Sequence, residues 1–227
     1  MSLKNDNYQK RLVDERISKY LDVFGAVSIE GPKWCGKTWT SLNHANSVTY
    51  LTEKPSRELA QVDPKYIFTN EWPQLIDEWQ IVPSTWDLVR HECDKTQDTG
   101  KFILTSSTTL SKEEKEDEVF HFGTGRIASM HMYPMSLYES GDSSGNVSIT
   151  DMFNDKVECK YERKVELDEL ANLIIRGGWP ANVGKKNIDL IPKDYIESIV
   201  TKDIHERKDK KRNSRKMRML IRSLARN

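Results

Sequence analysis

The sequence predicts a three-layer α/β domain in which helices cover both faces of a parallel β-sheet. Five short apolar runs have strand character, and they are AVSIE (26–30), SVTYLT (47–52), PQLIDEW (73–79), KFILTSS (101–107) and IASMHMYP (127–134). Stretches with helical spacing lie between them, including SRELAQVD and STWDLVRHECD. Because strands that alternate with helices form parallel sheets with both faces covered, we place this domain over about residues 20–137.

A glycine-bearing loop stands between the first predicted strand and a predicted helix. GPKWCGKT at residues 31–38 matches G-x-x-x-x-G-K-[ST] at every fixed position. Such a loop wraps a phosphate with inward-pointing N–H groups, and Gly36 permits close approach because it has no Cβ. The following helix directs its N-terminal dipole at the same charge. We therefore predict a nucleotide phosphate site.

Residues of this loop have expected roles at the nucleotide. Lys37 is expected to reach the β- and γ-phosphates, and the Thr38 hydroxyl to ligate Mg²⁺. The Trp34 and Cys35 side chains are expected to point outward, where the thiol could make the site sensitive to thiol modification. The predicted nucleotide contacts are Gly31, Pro32, Lys33, Trp34, Cys35, Gly36, Lys37, Thr38 and Trp39.

Two adjacent carboxylates close the third predicted strand. PQLIDEWQ ends its apolar run at Asp77 and Glu78, where a parallel strand delivers side chains to its carboxyl edge beside the phosphate loop. Asp77 is predicted to hold Mg²⁺ through water, and Glu78 to polarise the attacking water as a general base. The alternative is a solvated strand end, since adjacent Asp and Glu residues are common.

The fourth predicted strand ends in hydroxyl groups, at Thr105, Ser106 and Ser107. In ATPases with an extra strand between the phosphate loop and the acidic motif, a polar side chain here orients the lytic water or contacts the γ-phosphate. Ser106 or Ser107 is the candidate for this role. The alternative is that these hydroxyls cap the following helix.

Arg126 lies in a glycine-rich turn just before the last predicted strand. An arginine at this junction can face the nucleotide of a neighbouring subunit, where its guanidinium offsets charge that develops in the transition state. This interpretation predicts a homo-oligomer. The alternative is a surface arginine beside a turn.

Charge and cysteine content exclude some classes of protein. Thirty-five basic residues balance thirty-five acidic ones, so the net charge indicates no partner. Three widely separated cysteines lack zinc or disulfide spacing, which is typical of a reducing cytoplasm. No run approaches the roughly 18–20 apolar residues of a membrane span, and the N-terminus lacks the layout of a signal peptide. We predict a cytoplasmic protein without membrane contact.

Five segments together carry a family resemblance. They are RLVDERISKYLDVFGAVSIEGPKWCGKTWT, IDEWQIVPSTWDLVRHECD, FILTSST, GTGRIASMHMYPMSLYE and IIRGGWPA, in this order within about residues 8–225. The set resembles a large group of prokaryotic AAA-type ATPases related to ATPases of signalling and replication initiation. The resemblance implies a P-loop NTPase fold with sheet order 5-1-4-3-2, a helical lid from about residue 166, and an arginine finger at Arg126. This chain departs from the group's Leu-Thr-Gly-Ser pattern at LTSS, which leaves the sensor hydroxyl open.

Four regions are predicted along the chain. They are a lead-in helix (1–20), the P-loop ATPase core (21–139), an irregular connection (140–165), and a helical lid with the start of a further region (166–227). The resembling proteins continue into a C-terminal domain of unknown function with winged-helix and nuclease-like parts, so we expect this chain to be truncated. Arg176 is the nearest candidate for a lid arginine at the γ-phosphate.

Two charged stretches stand out from the balanced composition. Residues 207–218 hold eight basic residues and one acid, which predicts either nucleic-acid contact or a solvated helix face. EEKEDE at 113–118 is predicted to be a solvated loop.

These residues together predict an enzyme that binds Mg-ATP and hydrolyses it to ADP and phosphate to switch a C-terminal effector. A GTPase is disfavoured because no Asn-Lys-x-Asp signature follows the loop. A small-molecule kinase would not need Glu78 to activate water. The remaining alternative is a nucleotide-gated interaction or DNA-associated module with little or no hydrolysis.

Overall fold

The parallel sheet forms in the predicted order. The structure, a computed structural model, describes residue 3 and residues 6–69, 71–96, 98–107, 125–156, 164–186, 188–203 and 213–226. The strands are β1 Ala26–Glu30, β2 Ser47–Tyr50, β3 Gln74–Asp77, β4 Phe102–Ser106 and β5 Ile127–His131. All four pairings between them are parallel, in the order β2-β3-β4-β1-β5. Counted from the other edge this order is 5-1-4-3-2, which confirms the prediction.

Four of the described helices cover the two faces of the sheet. They are α1 Asp14–Val23, α2 Lys37–His44, α3 Lys54–Val62 and α4 Thr85–Thr96. Successive strand residues point to opposite faces. Val27 belongs to the apolar cluster that includes Ile17 of α1, and Ala26 to the cluster that includes Ala60 of α3 and Val89 of α4. Each fully buried aliphatic side chain stabilises this arrangement by about 1.5–3 kcal/mol.

Helix α1 is shorter than its sequence pattern. The pattern covers residues 8–25, whereas the helix begins at Asp14. The preceding residues form a turn in which the Arg11 N–H donates to the Asp14 carboxylate and the Asp14 N–H donates to the Arg11 carbonyl. The helix ends before Gly25, where a Cβ would lie 2.6 Å from Cys93 Sγ.

The described chain after β5 is mainly helical. Its α-helices are α5 Ile149–Phe153, α6 Leu167–Arg176, α7 Leu190–Ser198 and α8 Ser214–Leu224. Within the described parts of the chain, no helix is both long and apolar enough to cross a bilayer.

Two compact units share the chain. One comprises Met1–Val157 and Gly178–Ala181, and the other comprises Glu158–Gly177 and Asn182–Asn227. In the second unit, the Ser214 hydroxyl at the start of α8 donates to the Val200 carbonyl at 3.0 Å. The region boundaries given in the sequence analysis stay a prediction.

Candidate nucleotide-binding site

The loop between β1 and α2 has glycine at two positions where the backbone requires it. A Cβ on Gly31 would lie 2.2 Å from the carbonyl oxygen of Met132. Gly36 has a φ of 101°, in the left-handed region that glycine adopts without steric cost. Trp34 also has a positive φ, 68°. Turns that mix right- and left-handed residues gather N–H groups into an anion-binding concavity.

Lys37 is the first residue of α2, and its side chain is buried at this loop. The ammonium Nζ donates to the carbonyl oxygens of Gly31 at 2.9 Å and Pro32 at 3.0 Å. Helix α2 makes its first intrahelical bond from the Thr40 N–H to the Gly36 carbonyl. The amides before Thr40 therefore have no partner within the helix, which favours an anion at this end.

Asp77, at the carboxyl end of β3, contacts the loop's threonine. The hydroxyls of Thr38 and Thr105 donate to its Oδ1 at 2.8 and 2.7 Å. Burial raises the pKa of Asp77, although these two hydrogen bonds act to lower it. A nearby cation would stabilise the ionised form of such a buried carboxylate.

The oxygen donors of Thr38 and Asp77 fit a magnesium ion. Mg²⁺ prefers oxygen ligands and is usually bound through one or two carboxylates together with substrate phosphates. No cluster of three or more His, Cys, Asp or Glu side chains suited to a metal occurs among the described residues. A magnesium ion at Asp77 would therefore depend on the phosphates of a nucleotide.

Glu78 follows Asp77 with a left-handed backbone, φ 56°. Its Oε2 accepts hydrogen bonds from the Ser107 N–H at 3.1 Å, the Ser107 hydroxyl at 2.7 Å and Gln80 Nε2 at 2.5 Å. Its own N–H donates to Thr105 Oγ1 at 3.1 Å. The predicted general base is thus held at the end of β4.

The three hydroxyl residues that end β4 have different partners. Thr105 hydrogen-bonds to both Asp77 and Glu78, and it was not among the two serines selected from the sequence. Ser107, one of the two selected, donates to the Glu78 carboxylate. Ser106 is buried, and its carbonyl accepts the Gly31 N–H at 3.3 Å. The sensor role of Ser106 or Ser107 stays a prediction.

The outward orientation predicted for Cys35 is wrong. Its side chain is fully buried, and Sγ donates to the Met132 carbonyl at 3.6 Å. Burial raises the pKa of this thiol, which opposes the predicted sensitivity to thiol reagents.

Trp34 is half exposed, and its ring lies edge-on to that of Trp179 at a centroid distance of 6.4 Å. Trp39, in α2, is also half exposed.

Arg126 lies at the amino end of the sheet, opposite the phosphate loop of its own chain. Its carbonyl accepts the Ala26 N–H at the start of β1, whereas the loop follows the end of that strand, about 16 Å away at 3.3 Å per residue. Its Nε donates to Asp94 Oδ1 at 2.6 Å, and this bond lowers the pKa of Asp94. A finger role would need another subunit, and it stays a prediction.

Three other features predicted from the sequence are Arg176, the acidic stretch 113–118 and the basic stretch 207–218. Arg176 belongs to the second unit, where its Nε donates to the Gly177 carbonyl at 3.3 Å. The acidic stretch 113–118 lies outside the described residues, and so do positions 207–212 of the basic stretch.

Sequence reasoning missed a polar cluster that joins α1 to α2. Asp14 accepts from the Tyr8 hydroxyl at 2.7 Å and lies 2.9 Å from His44 Nε2, and the Tyr8 hydroxyl also reaches Thr40 Oγ1 at 3.2 Å. Burial acts to raise the pKa of Asp14, but hydrogen bonds from His44, Arg11 and Tyr8 lower it overall. No motif marks these residues, because the contacts join distant segments. The buried ion pair between Arg11 and Glu139 was missed for the same reason.

A comparison with family models decides the family. The model described as "AAA domain" matches residues 24–141, which is more than half of the chain. The chain belongs to this AAA domain family. A second match, to a domain of unknown function (DUF8612), covers residues 167–227 of this AAA domain protein. No curated protein matched the chain.

Solved structures of low sequence identity resemble this AAA domain protein. The Walker-type ATPase PABY2304 of Pyrococcus abyssi has a TM-score of 0.52 at 13% identity, over 90% of this chain and 76% of that one. The ORC2 protein of Aeropyrum pernix has a TM-score of 0.38 at 14% identity, over 61% of this chain, which spans 52% of ORC2. PCH-2 of C. elegans has a TM-score of 0.31 at 17% identity, over 92% and 57%. The similarity to PABY2304 supports the fold.

Proposed function

We propose that the chain binds Mg-ATP at the loop 31–38 and hydrolyses it to ADP and phosphate. The observation that carries this proposal is the contact between Thr38 and Asp77, at 2.8 Å, beside the buried ammonium of Lys37. An amide-lined loop, an ammonium group and two oxygen donors for a cation are the groups that a triphosphate requires. Family membership supports the same activity.

The chain's own residues have distinct roles in this reaction. When a nucleotide binds, the Lys37 ammonium would donate its hydrogen bonds to phosphate oxygens instead of the carbonyl oxygens of Gly31 and Pro32. Thr38 and Asp77 would hold Mg²⁺, which when bound neutralises charge on the β- and γ-phosphates. Glu78 would accept a proton from the water whose oxygen attacks the γ-phosphorus, and ADP would leave.

A second candidate function, a slow nucleotide-gated switch, is favoured by the bonding of Glu78. Three donors from Ser107 and Gln80 engage Oε2, one of the two carboxylate oxygens that could accept a proton from a water. Turnover would be slow wherever these bonds persist. In either function, we propose that the nucleotide state changes the region after residue 166, which acts on an effector.

Nucleotide binding and phosphate release, measured in parallel on purified variants, test both functions. Lys37→Ala is expected to lose Mg-ATP binding, and Glu78→Gln to keep binding but lose about 10²–10⁴-fold in turnover. Lys54→Ala and Glu58→Gln are the matched controls, because this exposed pair lies on α3, and Lys54 begins its helix as Lys37 does. If Lys37→Ala binds Mg-ATP as tightly as the wild type, the proposed nucleotide site is wrong.

The two functions differ in what Glu78→Gln changes. If the wild type binds Mg-ATP and the substitution leaves its phosphate release unchanged, the chain is a binding module rather than an ATPase. A contribution of Arg126 to a neighbouring subunit, and contact of residues 207–218 with nucleic acid, are separate proposals on which this test does not depend.

A further inference from the structure

Arg11 lies buried in the turn before α1 and bonds to the backbone of the phosphate loop. Its Nη1 donates to the carbonyl oxygen of Cys35 at 2.7 Å, and its Nη2 to that of Tyr133 at 2.9 Å. Its Nε donates to Glu139 Oε1 at 2.9 Å, and only 3% of the side chain is exposed. One guanidinium therefore joins the loop to two positions beyond β5.

The bond to Cys35 fixes the direction of one peptide group. A peptide unit is planar and trans, so its C=O and N–H point in opposite directions. The carbonyl of Cys35 shares its peptide unit with the N–H of Gly36. With the oxygen held by Arg11, this N–H must point away from the guanidinium. In loops of this pattern, backbone N–H groups cradle the phosphates.

Steric hindrance alone does not fix the orientation of the Cys35–Gly36 peptide. A flip of the Cys35–Gly36 peptide changes ψ of Cys35 and φ of Gly36, and glycine adopts both signs of φ about equally well. A flipped peptide would direct a carbonyl oxygen, rather than an N–H, at an anionic phosphate. A charge-assisted hydrogen bond from a buried guanidinium favours the productive orientation.

Glu139 holds Arg11 in this position. Its Oε1 also accepts the Leu12 N–H at 2.9 Å, and its Oε2 accepts the Ser136 N–H at 2.8 Å and the Ser136 hydroxyl at 3.0 Å. Burial acts to raise the pKa of Glu139, but hydrogen bonds from Ser136, Leu12 and Arg11 lower it overall. The carboxylate therefore stays ionised at neutral pH and compensates the buried guanidinium charge.

We propose that Arg11 is a positioning residue that directs the Gly36 N–H toward the nucleotide phosphates, with Glu139 holding its guanidinium in place. The inference rests on the proposed nucleotide binding. It adds a determinant that lies before the matched family region, residues 24–141. Loss of one charge-assisted bond of this kind is expected to weaken phosphate binding about 10- to 100-fold.

The orientation of this peptide can be followed at a single amide. Cys35-Gly36 is the only Cys-Gly dipeptide in the sequence, so ¹³C-carbonyl cysteine and ¹⁵N-glycine labelling gives one signal in a carbonyl-selected NMR spectrum. Mg-ADP, and inorganic tripolyphosphate as a probe without a base, should each move the wild-type Gly36 proton downfield through a new hydrogen bond. In Arg11→Lys, the shift at saturating ligand is expected to fall by half or more.

Affinities for the same two ligands complete the test. The dissociation constant is expected to rise about 10- to 100-fold in Arg11→Lys, and less in Glu139→Gln, which leaves the two carbonyl contacts of Arg11. Arg16→Lys is the matched control, because the exposed Arg16 guanidinium bonds to the Tyr20 hydroxyl at 2.9 and 2.6 Å. All measurements are made well below the unfolding temperature of each variant.

The outcomes separate this inference from the proposed function. If wild type and Arg11→Lys bind both ligands equally and give the same Gly36 shift, Arg11 has a structural role only, even if the variant unfolds at a lower temperature. If the wild type binds neither ligand, the proposed function fails and the inference fails with it.

Discussion

Thr105 and Thr85 are two fully buried residues whose hydroxyls differ in bonding. Thr105 Oγ1 donates to Asp77 Oδ1 at 2.7 Å and accepts the Glu78 N–H at 3.1 Å. Thr85 Oγ1, at the start of α4, has no hydrogen-bond partner among the described residues. Thr105→Val and Thr85→Val make the same chemical change at nearly constant shape. We expect them to have different effects on stability.

The expected magnitudes come from these contacts. Thr105→Val removes a hydrogen bond to a charged acceptor, which is worth about 1.5–3 kcal/mol, and deprives the Glu78 N–H of its acceptor, at a further cost of about 1 kcal/mol. The free energy of unfolding should therefore fall by about 2.5–4 kcal/mol. Thr85→Val removes a desolvated hydroxyl that has no compensating bond. Its free energy of unfolding should stay the same or rise by about 1 kcal/mol.

Urea unfolding at pH 7, followed by circular dichroism, measures both values. Thr105→Ser keeps the hydroxyl and is expected to recover most of the loss. Equal changes in the two valine variants would refute the reasoning, because they would mean that the bond to Asp77 contributes no net stability.

Other positions in the site have expected outcomes of their own. Burial raises the pKa of Asp77 above its ordinary 3.8, so the native state binds this proton more tightly and the carboxylate's contribution to stability falls as pH rises above about 4. In urea titrations without nucleotide, the stability advantage of Asp77→Asn over the wild type should therefore grow from about pH 4 to pH 7. A stability difference independent of pH would contradict this expectation. Mg-ATP should no longer raise the melting temperature of this variant. Gly36→Ala places a Cβ at a φ of 101°, which should lower the free energy of unfolding by about 1–2 kcal/mol and abolish ATP binding in calorimetry. Iodoacetamide should label the buried Cys35 only as fast as the protein opens, and fast labelling of the native protein in peptide maps would contradict its burial.

Features that depend on neighbours along the chain could be predicted from the sequence. β1, the loop and α2 lie within residues 26–44, and a local pattern locates all three. The third strand was predicted to residue 79 but ends at Asp77, because Glu78 turns into the left-handed region. The sheet order came from the family resemblance instead. Strand pairing joins distant residues such as Ala26 and Phe102, which no local pattern encodes.

The choice among the hydroxyls of β4 depends on strand register. β3 and β4 pair Ile76 with Leu104, so the next residues along, Asp77 and Thr105, lie side by side. Ser106 points to the opposite face, because side chains alternate along a strand. The sequence shows three successive hydroxyls but not this register, and Thr105 was therefore not selected.

The error at Cys35 also has a physical cause. The loop passes so close to the Met132 carbonyl that only glycine fits at position 31. The same close approach brings Cys35 Sγ to the Met132 carbonyl, in the apolar cluster behind β1. A pattern of fixed positions says nothing about the side chains between them, so the direction of Cys35 could not be predicted from the sequence.

Burial of Asp77 would couple the stability of the core to the proposed cation binding. A carboxylate whose pKa is raised by burial destabilises the ligand-free native state at neutral pH, and a cation beside it offsets that effect. A ligand that binds only the native state stabilises it by about 2.7 kcal/mol at a hundredfold excess over its dissociation constant. This gain is similar to the expected contribution of the Thr105 hydroxyl. The carboxylate that we propose as a cation ligand therefore weakens the ligand-free fold, so replacing it with an uncharged amide should raise stability and remove the proposed cation binding.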